Sequence, residues 1–287
     1  MPRLYVVATP IGNLDDLTPR MRQALESASL IAAEDTRVTQ KLLTVMGISR
    51  PLISNHQHNE EARAPRIIER MIAENIDVAV TCDAGTPGIS DPGMELVSAA
   101  WQAGIEVIPV SGPSAVITTL SAAGFDAREF AFYGFLPREN GDLRKKLHAI
   151  AHGPRVAVAY ESPHRIVNLV EQIAHEIPGA RVCVCCDLTK KFEKIERGLA
   201  GAVLECLKAN PNVEKGEYCV AIELPEIEEE EAPAVQLSPR HMVMDALLEG
   251  MSMRDAVKCA TQQGASRQDA YAASLEIKRW LESQLEE

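Results

Sequence analysis

The sequence predicts an α/β protein: two αβα domains with a crevice between them, followed by a small C-terminal helical unit of helix-turn-helix type. Three observations carry this expectation. Short apolar runs alternate with amphipathic stretches through the first half, strand-like runs follow one another closely in the second, and beyond Pro239 the pattern is helical. With 287 residues, 46% of them apolar and 24% charged, the chain is long enough for two packed domains and a small extra one, and a disordered class is excluded.

Taken in order, strand-like runs near Leu4, Leu30, Pro51, Asp77 and Ile105 alternate with helices starting near Thr18, Thr36, Glu60, Met94 and Ser114. This βαβ grammar implies a mostly parallel sheet covered by helices. Phe130-Ala131-Phe132-Tyr133 reads as one more strand, and the loop over 134–142 as the end of a first domain spanning 1–136. In the second domain, 137–225, runs at 155–160, 180–187, 192–197 and 218–224 read as strands of a mixed sheet with one or two helices. The acidic run Glu226-Ile227-Glu228-Glu229-Glu230-Glu231 marks a solvated linker over 226–236. In the final unit, 237–287, Ser238-Pro239-Arg240 is a helix start with Pro in the first turn, and Ser252 and Ser266 open two short helices joined by a Gly264-Ala265 turn.

Three strand ends carry loops of small residues. The string Thr81-Cys82-Asp83-Ala84-Gly85-Thr86-Pro87-Gly88-Ile89-Ser90-Asp91-Pro92-Gly93 lies between an apolar run and a helix. Its glycines leave no Cβ to block a ligand, and its prolines fix φ before binding. Thr9-Pro10-Ile11-Gly12-Asn13 and Ser111-Gly112-Pro113-Ser114-Ala115 follow two further strands. Ligands of open α/β sheets sit at the carboxyl ends of strands, so the three loops together form a candidate small-cofactor site. No Gly-x-Gly-x-x-Gly follows the first strand, which argues against a dinucleotide-dependent oxidoreductase.

The net charge of −12 weighs against a nucleic-acid partner, yet five of the acids are confined to the run at 226–231. Arg138, Arg144, Lys145 and Lys146 cluster after Gly134-Phe135-Leu136-Pro137, and Lys190, Lys191, Lys194 and Arg197 crowd another short segment. The first group is the candidate contact for RNA phosphates. Seven cysteines, an odd number scattered through apolar segments, argue for reduced thiols. Cys183-Val184-Cys185-Cys186 lies in a strand and lacks the turn of a metal knuckle, and His56-Gln57-His58 offers only two imidazoles, so no metal is expected. No apolar run reaches bilayer-spanning length and Met1-Pro2-Arg3 leads straight into a strand, so the expectation is a cytoplasmic protein with no membrane partner.

Pro10 and Gly12, the loop over 83–93, Ser111-Gly112-Pro113-Ser114-Ala115 and Tyr160-Glu161-Ser162-Pro163-His164-Arg165 together resemble the tetrapyrrole methylase-like class of S-adenosylmethionine (SAM) enzymes, over about residues 4–225. The 83–93 and 161–165 strings are the specific part; the 111–115 string marks only the wider class. Within the class the chain is most similar to the branch that methylates a cytidine ribose 2′-oxygen in 16S ribosomal RNA, and a helical appendage fits that branch. The resemblance implies two αβα domains of the tetrapyrrole methylase type with SAM in the crevice. It implies a pocket lined by Pro10, Asp83, Ala84, Gly85, Thr86, Ser114, Ala115, Tyr160, Leu188 and Thr189, the last three reaching in from the second domain. It also implies a homodimer acting on 16S rRNA within the small ribosomal subunit. Two roles are open to Asp83: bonding the methionine amine of SAM, or bracing its own loop.

A ribose hydroxyl is a poor nucleophile, so a nearby group should accept its proton. Glu161, just beyond a strand end, and the pair Glu34-Asp35 are the candidates; each is equally readable as the structural partner of Arg165 or Arg37. The first loop is less Gly-rich than in many members of the wider class, and porphyrin-type members lack the helical tail, which favours an RNA acceptor. Two alternatives stand beside this reading. One is a tetrapyrrole methyltransferase whose basic loop over 138–146 binds substrate carboxylates. The other is a regulator that reads nucleic acid through its helix-turn-helix, whose second helix bears Arg267, Lys278 and Arg279.

Overall fold

The apolar runs of the first half are strands in the computed structural model, which describes residues 1–226 and 237–284. Strands β1 (Arg3–Val7), β2 (Leu30–Ala33), β3 (Leu52–Ser54), β4 (Val78–Thr81) and β5 (Glu106–Val110) form a parallel sheet in the order β3-β2-β4-β1-β5. Helices α1 (Pro19–Ser27), α2 (Thr36–Met46), α3 (Glu60–Glu74) and α4 (Met94–Gln102) connect them. Their starts follow from capping: the Thr18 and Asp35 side chains accept hydrogen bonds from the backbone of Met21 and Arg37. Alternation along β1 sends Tyr5 and Val7 to one face, among Met21, Leu25 and Leu43, and Leu4 to the other, among Ile67, Met71 and Leu96. The sheet is buried on both faces, as a parallel sheet requires.

The second sheet holds β6 (Phe130–Phe135), β7 (Val156–Glu161), β8 (Arg181–Cys186), β9 (Lys194–Leu199) and β10 (Tyr218–Glu223) in the order β6-β7-β10-β8-β9. Only β6 and β7 run parallel, the other neighbours being antiparallel. Helices α6 (Asn140–Ala151), α7 (Ile166–Glu176) and α8 (Ala200–Ala209) cover one face, with Leu147, Leu169 and Leu204 against Val184 and Val220. The other face is covered by α5 (Ala115–Ala123), the helix that leaves the first sheet, through Val116, Leu120 and Ala123 on Val158, Cys185 and Cys219.

The structure corrects three readings. A boundary after residue 136 would put β6 with the first sheet, but Phe130 to Phe132 pair with Val156 to Val158 of β7, so by sheet membership the change falls before β6. An apolar run identifies a strand without naming the sheet it joins. Residues 134–142 are not one loop either, because β6 runs to Phe135 and α6 starts at Asn140. The second sheet therefore carries three helices on that face, and Leu143, Leu147 and Ile150 at helical spacing were the available sign of α6.

Contacts divide the chain into two compact units, Met1–Glu226 and Ile227–Glu287. In the second, α9 (Pro239–Leu248), α10 (Met253–Gln262) and α11 (Arg267–Gln284) close on a small core of Val243, Ala246, Ala256, Ala260, Ala270 and Ile277. Ser238, Ser252 and Ser266 cap the three starts through the N–H groups of His241, Asp255 and Asp269. The last helix runs on past Ser274. The acidic run beyond Glu226, with the rest of the linker to residue 236, lies outside the described residues. Among the described residues no helix is long and apolar enough to cross a membrane, and no three His, Cys, Asp or Glu side chains converge on a metal position. All seven cysteines are free, with Cys206 exposed and Cys82, Cys183, Cys185 and Cys219 buried.

Candidate cofactor site

The loops after β1 and β4 are tied together by a two-way backbone pair. Thr9 N–H donates to Gly85 O at 2.8 Å and Gly85 N–H to Thr9 O at 3.0 Å, while Thr9 Oγ1 donates to Cys82 O at 3.1 Å. Gly85 makes this pair at φ +80. A Cβ there would sit 3.6 Å from Ile11 Cγ2, an ordinary contact, so conformation rather than crowding demands glycine. The loop after β5 is locked differently: a Cβ on Gly112 would come within 2.8 Å of Ala8 Cβ. Ser114 then caps α5 by accepting from Ile117 N–H. Pro10, Ala84, Gly85, Thr86, Ser114 and Ala115 thus share one braced edge of the first sheet.

The second sheet reaches this edge at two places. Leu188, just after β8, is buried with Ile11, Val116 and Leu120. Gly12 lies so close to the following turn that a Cβ would be 2.6 Å from Lys190 Cγ and 2.9 Å from Thr189 Oγ1. Thr189 itself stands at φ +65, its N–H donating to Glu193 Oε2 at 2.6 Å. Near the end of β7, Tyr160 meets the rings of Phe132 and Phe135 at 5.0 and 5.7 Å. Burial, then the charges of Cys219, Asp91 and Cys82, pushes its hydroxyl well above the usual phenol range.

Polar atoms lacking a partner gather at the same strand ends. Thr81 Oγ1 at the end of β4, both side-chain polar atoms of Asn55 and the ring Nδ1 of His56 after β3, and Thr189 Oγ1 after β8 are buried without a hydrogen-bond partner among the described residues. Buried polar groups are ordinarily paired, so an edge that leaves several open is an edge shaped for a polar ligand.

Acids brace the rim. Asp83 N–H donates to Glu34 Oε2 and Asp35 N–H to Asp83 Oδ1, each at 3.1 Å, so Asp83 ties the end of β2 to the β4 loop. Burial raises the carboxyls of Glu34, Asp83 and Asp91 above their ordinary values, opposed at the first two by these bonds. Asp35 goes the other way, held well below that range by hydrogen bonds from Arg37 while it caps α2. Glu161 is 4% exposed and its Oε1 accepts from both Ser162 N–H and the Arg165 guanidinium at 2.6 Å. Among the candidate bases, Glu34 has its carboxyl pushed up by burial and, among the described residues, is paired with no cation.

The basic group is not on a loop. Arg144, Lys145 and Lys146 lie on α6, where Arg144 pairs with Glu176 and Lys145 with Asp142, and Lys146 Nζ stands 4.5 Å from the centroid of the Tyr133 ring. Arg138 lies before the helix and is exposed. Sequence reasoning missed a cavity of about 310 Å³ where Pro10, Gly12 and Asp83 meet Val38, Leu42 and Val45 of α2. Val38 and Val45 are exposed apolar residues two helical turns apart, which was its only advance sign. Of the expected cofactor residues only Pro10 and Asp83 line it; Ala84, Gly85, Thr86, Ser114, Ala115, Tyr160, Leu188 and Thr189 form no part of its wall.

Residues 3–204 match the Tetrapyrrole (Corrin/Porphyrin) Methylases family. A ribosomal RNA small subunit methyltransferase I of Xylella fastidiosa is 40% identical over 270 residues, which covers 93% of this chain and 97% of that protein. Among solved structures, the methyltransferase CobJ superposes with a TM-score of 0.58 at 22% identity, covering 78% of this chain and 95% of that one. Uroporphyrin-III C-methyl transferase of Thermus thermophilus, solved with S-adenyl homocysteine, superposes with a TM-score of 0.51 at 17% identity, covering 77% and 97%. At these identities the structural likeness concerns the fold.

Proposed function

Because this chain belongs to the Tetrapyrrole (Corrin/Porphyrin) Methylases family, we propose that it transfers a methyl group from SAM to the 2′-hydroxyl of a cytidine ribose in 16S ribosomal RNA. It is a SAM-dependent methyltransferase. The observation that carries the RNA acceptor is the 40% identity to a ribosomal RNA methyltransferase over 93% of the chain, against 22% or less for the tetrapyrrole-fold structures above. A tetrapyrrole acceptor is the reading this disfavours.

SAM supplies a methyl group already activated on a sulfonium, so the chain's part is alignment and the exclusion of water. The site fits such a ligand: the orphaned Thr189 hydroxyl offers a polar partner, Gly85 brings backbone close, and the partly buried Tyr160 ring offers apolar surface. In this reading Pro10, Asp83, Ala84, Gly85, Thr86, Ser114, Ala115, Tyr160, Leu188 and Thr189 line the pocket. Asp83 braces its loop, and Glu34 takes the proton of the ribose hydroxyl, its raised proton affinity suiting that task. Asp35 and Glu161 position Arg37 and Arg165. The reading is tested with labelled SAM offered small ribosomal subunits bearing unmodified 16S rRNA, or uroporphyrinogen. Label in an alkali-resistant ribose linkage of the RNA is the expected result, and label in the tetrapyrrole alone overturns it.

The RNA contact runs through Arg138 and the exposed face of α6. Neutralising Arg138, Arg144, Lys145 and Lys146 is expected to weaken RNA binding and flatten its dependence on salt, the slope falling by about 0.7 to 0.9 for each lost phosphate contact. SAM affinity should not move, and an unaltered salt slope places the RNA elsewhere. Since Arg144 and Lys145 already hold acids, Arg138 and Lys146 should account for most of the change.

The chain acts in the cytoplasm, where its RNA substrate lies, as a homodimer with two-fold symmetry. Exposed apolar side chains on one face support the dimer, among them Ile72 of α3 at 55% and Trp101 of the neighbouring α4 at 67%, which a self-complementary interface would cover. Sedimentation at micromolar concentration should show a mass twice the 31.3 kDa of the chain. An active species at the chain mass would refute it.

A further inference from the structure

β6 carries one residue more than the strand beside it. Phe132 pairs with Val158 and Phe135 with Tyr160, so three steps on β6 oppose two on β7, and the surplus falls at Gly134, whose φ is +61. In an uninterrupted strand residues three apart face opposite sides. The bulge turns Phe132 and Phe135 onto the same ring, that of Tyr160. Phe132 and Tyr160 are partly buried, as aromatic packing would have it, yet Phe135 is 63% exposed. Gly134 lies beside the β4 loop, its Cβ position 3.9 Å from Ser90 Oγ, so Phe135 stands on the rim where the loops of the two sheets meet. Exposed Arg138 follows three residues on.

Core packing accounts for Phe132 but not for a ring held outward by a bulge beside the cofactor edge. We propose that Phe135 is the base-stacking platform of the enzyme, taking the nucleobase of the acceptor nucleotide on its exposed face while Arg138 meets the neighbouring phosphate. The inference rests on the RNA reading above and adds the group that presents the acceptor. A ribose inside folded RNA reaches a crevice only when its base leaves the stack, and an aromatic side chain replaces the lost stacking whatever the base. The T-shaped and tilted contacts with Phe132 and Phe135 fix Tyr160 between them, leaving the outer face of Phe135 as the open π-surface.

The test uses the full chain and small ribosomal subunits bearing unmodified 16S rRNA. Phe135→Ala should lower kcat/KM for the subunits by about tenfold to a hundredfold, with SAM affinity by calorimetry unchanged. Phe135→Trp should retain activity, whereas Phe135→Leu, which keeps apolar bulk without a π-face, should behave as Ala does. Wild-type activity in the Leu variant overturns the proposal. So does loss of SAM affinity in the Ala variant, which would make the ring a prop for Tyr160, and so does a halved sedimenting mass, which would place it in a subunit interface. A wild-type enzyme that methylates no subunit overturns the RNA reading and this inference with it, whereas failure confined to the Phe135 variants leaves that reading standing.

Discussion

Gly85→Val is expected to abolish SAM binding while the protein stays folded. The β4 loop is fastened to the β1 loop through both backbone atoms of Gly85, and it is fastened at φ +80, where a β-branched side chain is strained by about 1–3 kcal/mol. Relief of that strain rotates the peptide and breaks the Thr9 pair, so Ala84 and Thr86 lose their placement together. The damage is local because a Cβ at Gly85 meets no backbone closer than Pro113 O at 3.9 Å. Calorimetry with SAM reads the result, and wild-type affinity would remove the three loops from the cofactor site. Gly104→Val is the control: its φ is +68, nothing stands within 4 Å of its Cβ position, and it lies between α4 and β5, so it should lose stability and keep SAM.

Arg165→Ala is expected to cost about 3–5 kcal/mol, because it leaves the Glu161 carboxylate buried with only a backbone partner. The melting temperature should fall by roughly 10 °C for a chain of this size. Glu161→Gln keeps the Ser162 contact but loses the ion pair, and should lower melting temperature and turnover together. Glu34→Gln should instead lower turnover with melting temperature and SAM affinity preserved. If Glu161→Gln removes turnover without touching stability, the proton acceptor is Glu161 and the assignment to Glu34 is wrong.

The strands and helices of the first sheet were legible in the sequence because alternation and capping are local: Thr18, Asp35 and Ser114 announce their helices within four residues. The three loops were legible for the same reason, since glycine and proline state their backbone needs in place. Partnership was not. Whether Phe130 to Phe135 joins the first sheet or the second depends on β7, some twenty residues on, and nothing inside the run says so. The basic group was found by composition but misread as a loop, and its pairing with Glu176 on α7 depends on how two helices lie side by side. Asp83 shows the limit most clearly. Its type suggested a ligand contact or a brace, and the support for the brace comes from bonds to residues 34 and 35, nearly fifty positions earlier.

Helix α5 begins in the loop that follows β5 of one sheet and spends its apolar face on the other. The chain is therefore not divisible where its two sheets meet. A break after residue 136 would strand Val116, Leu120 and Ala123 in solvent on one fragment and uncover Val158, Cys185 and Cys219 on the other, so neither piece would be a self-sufficient module. The same splice rules out a freely swinging hinge between the sheets, since opening it would unpack a core. Substrate exchange at the crevice must be carried by its rim loops, and insertions that tune this enzyme would be tolerated there before they were tolerated between its halves.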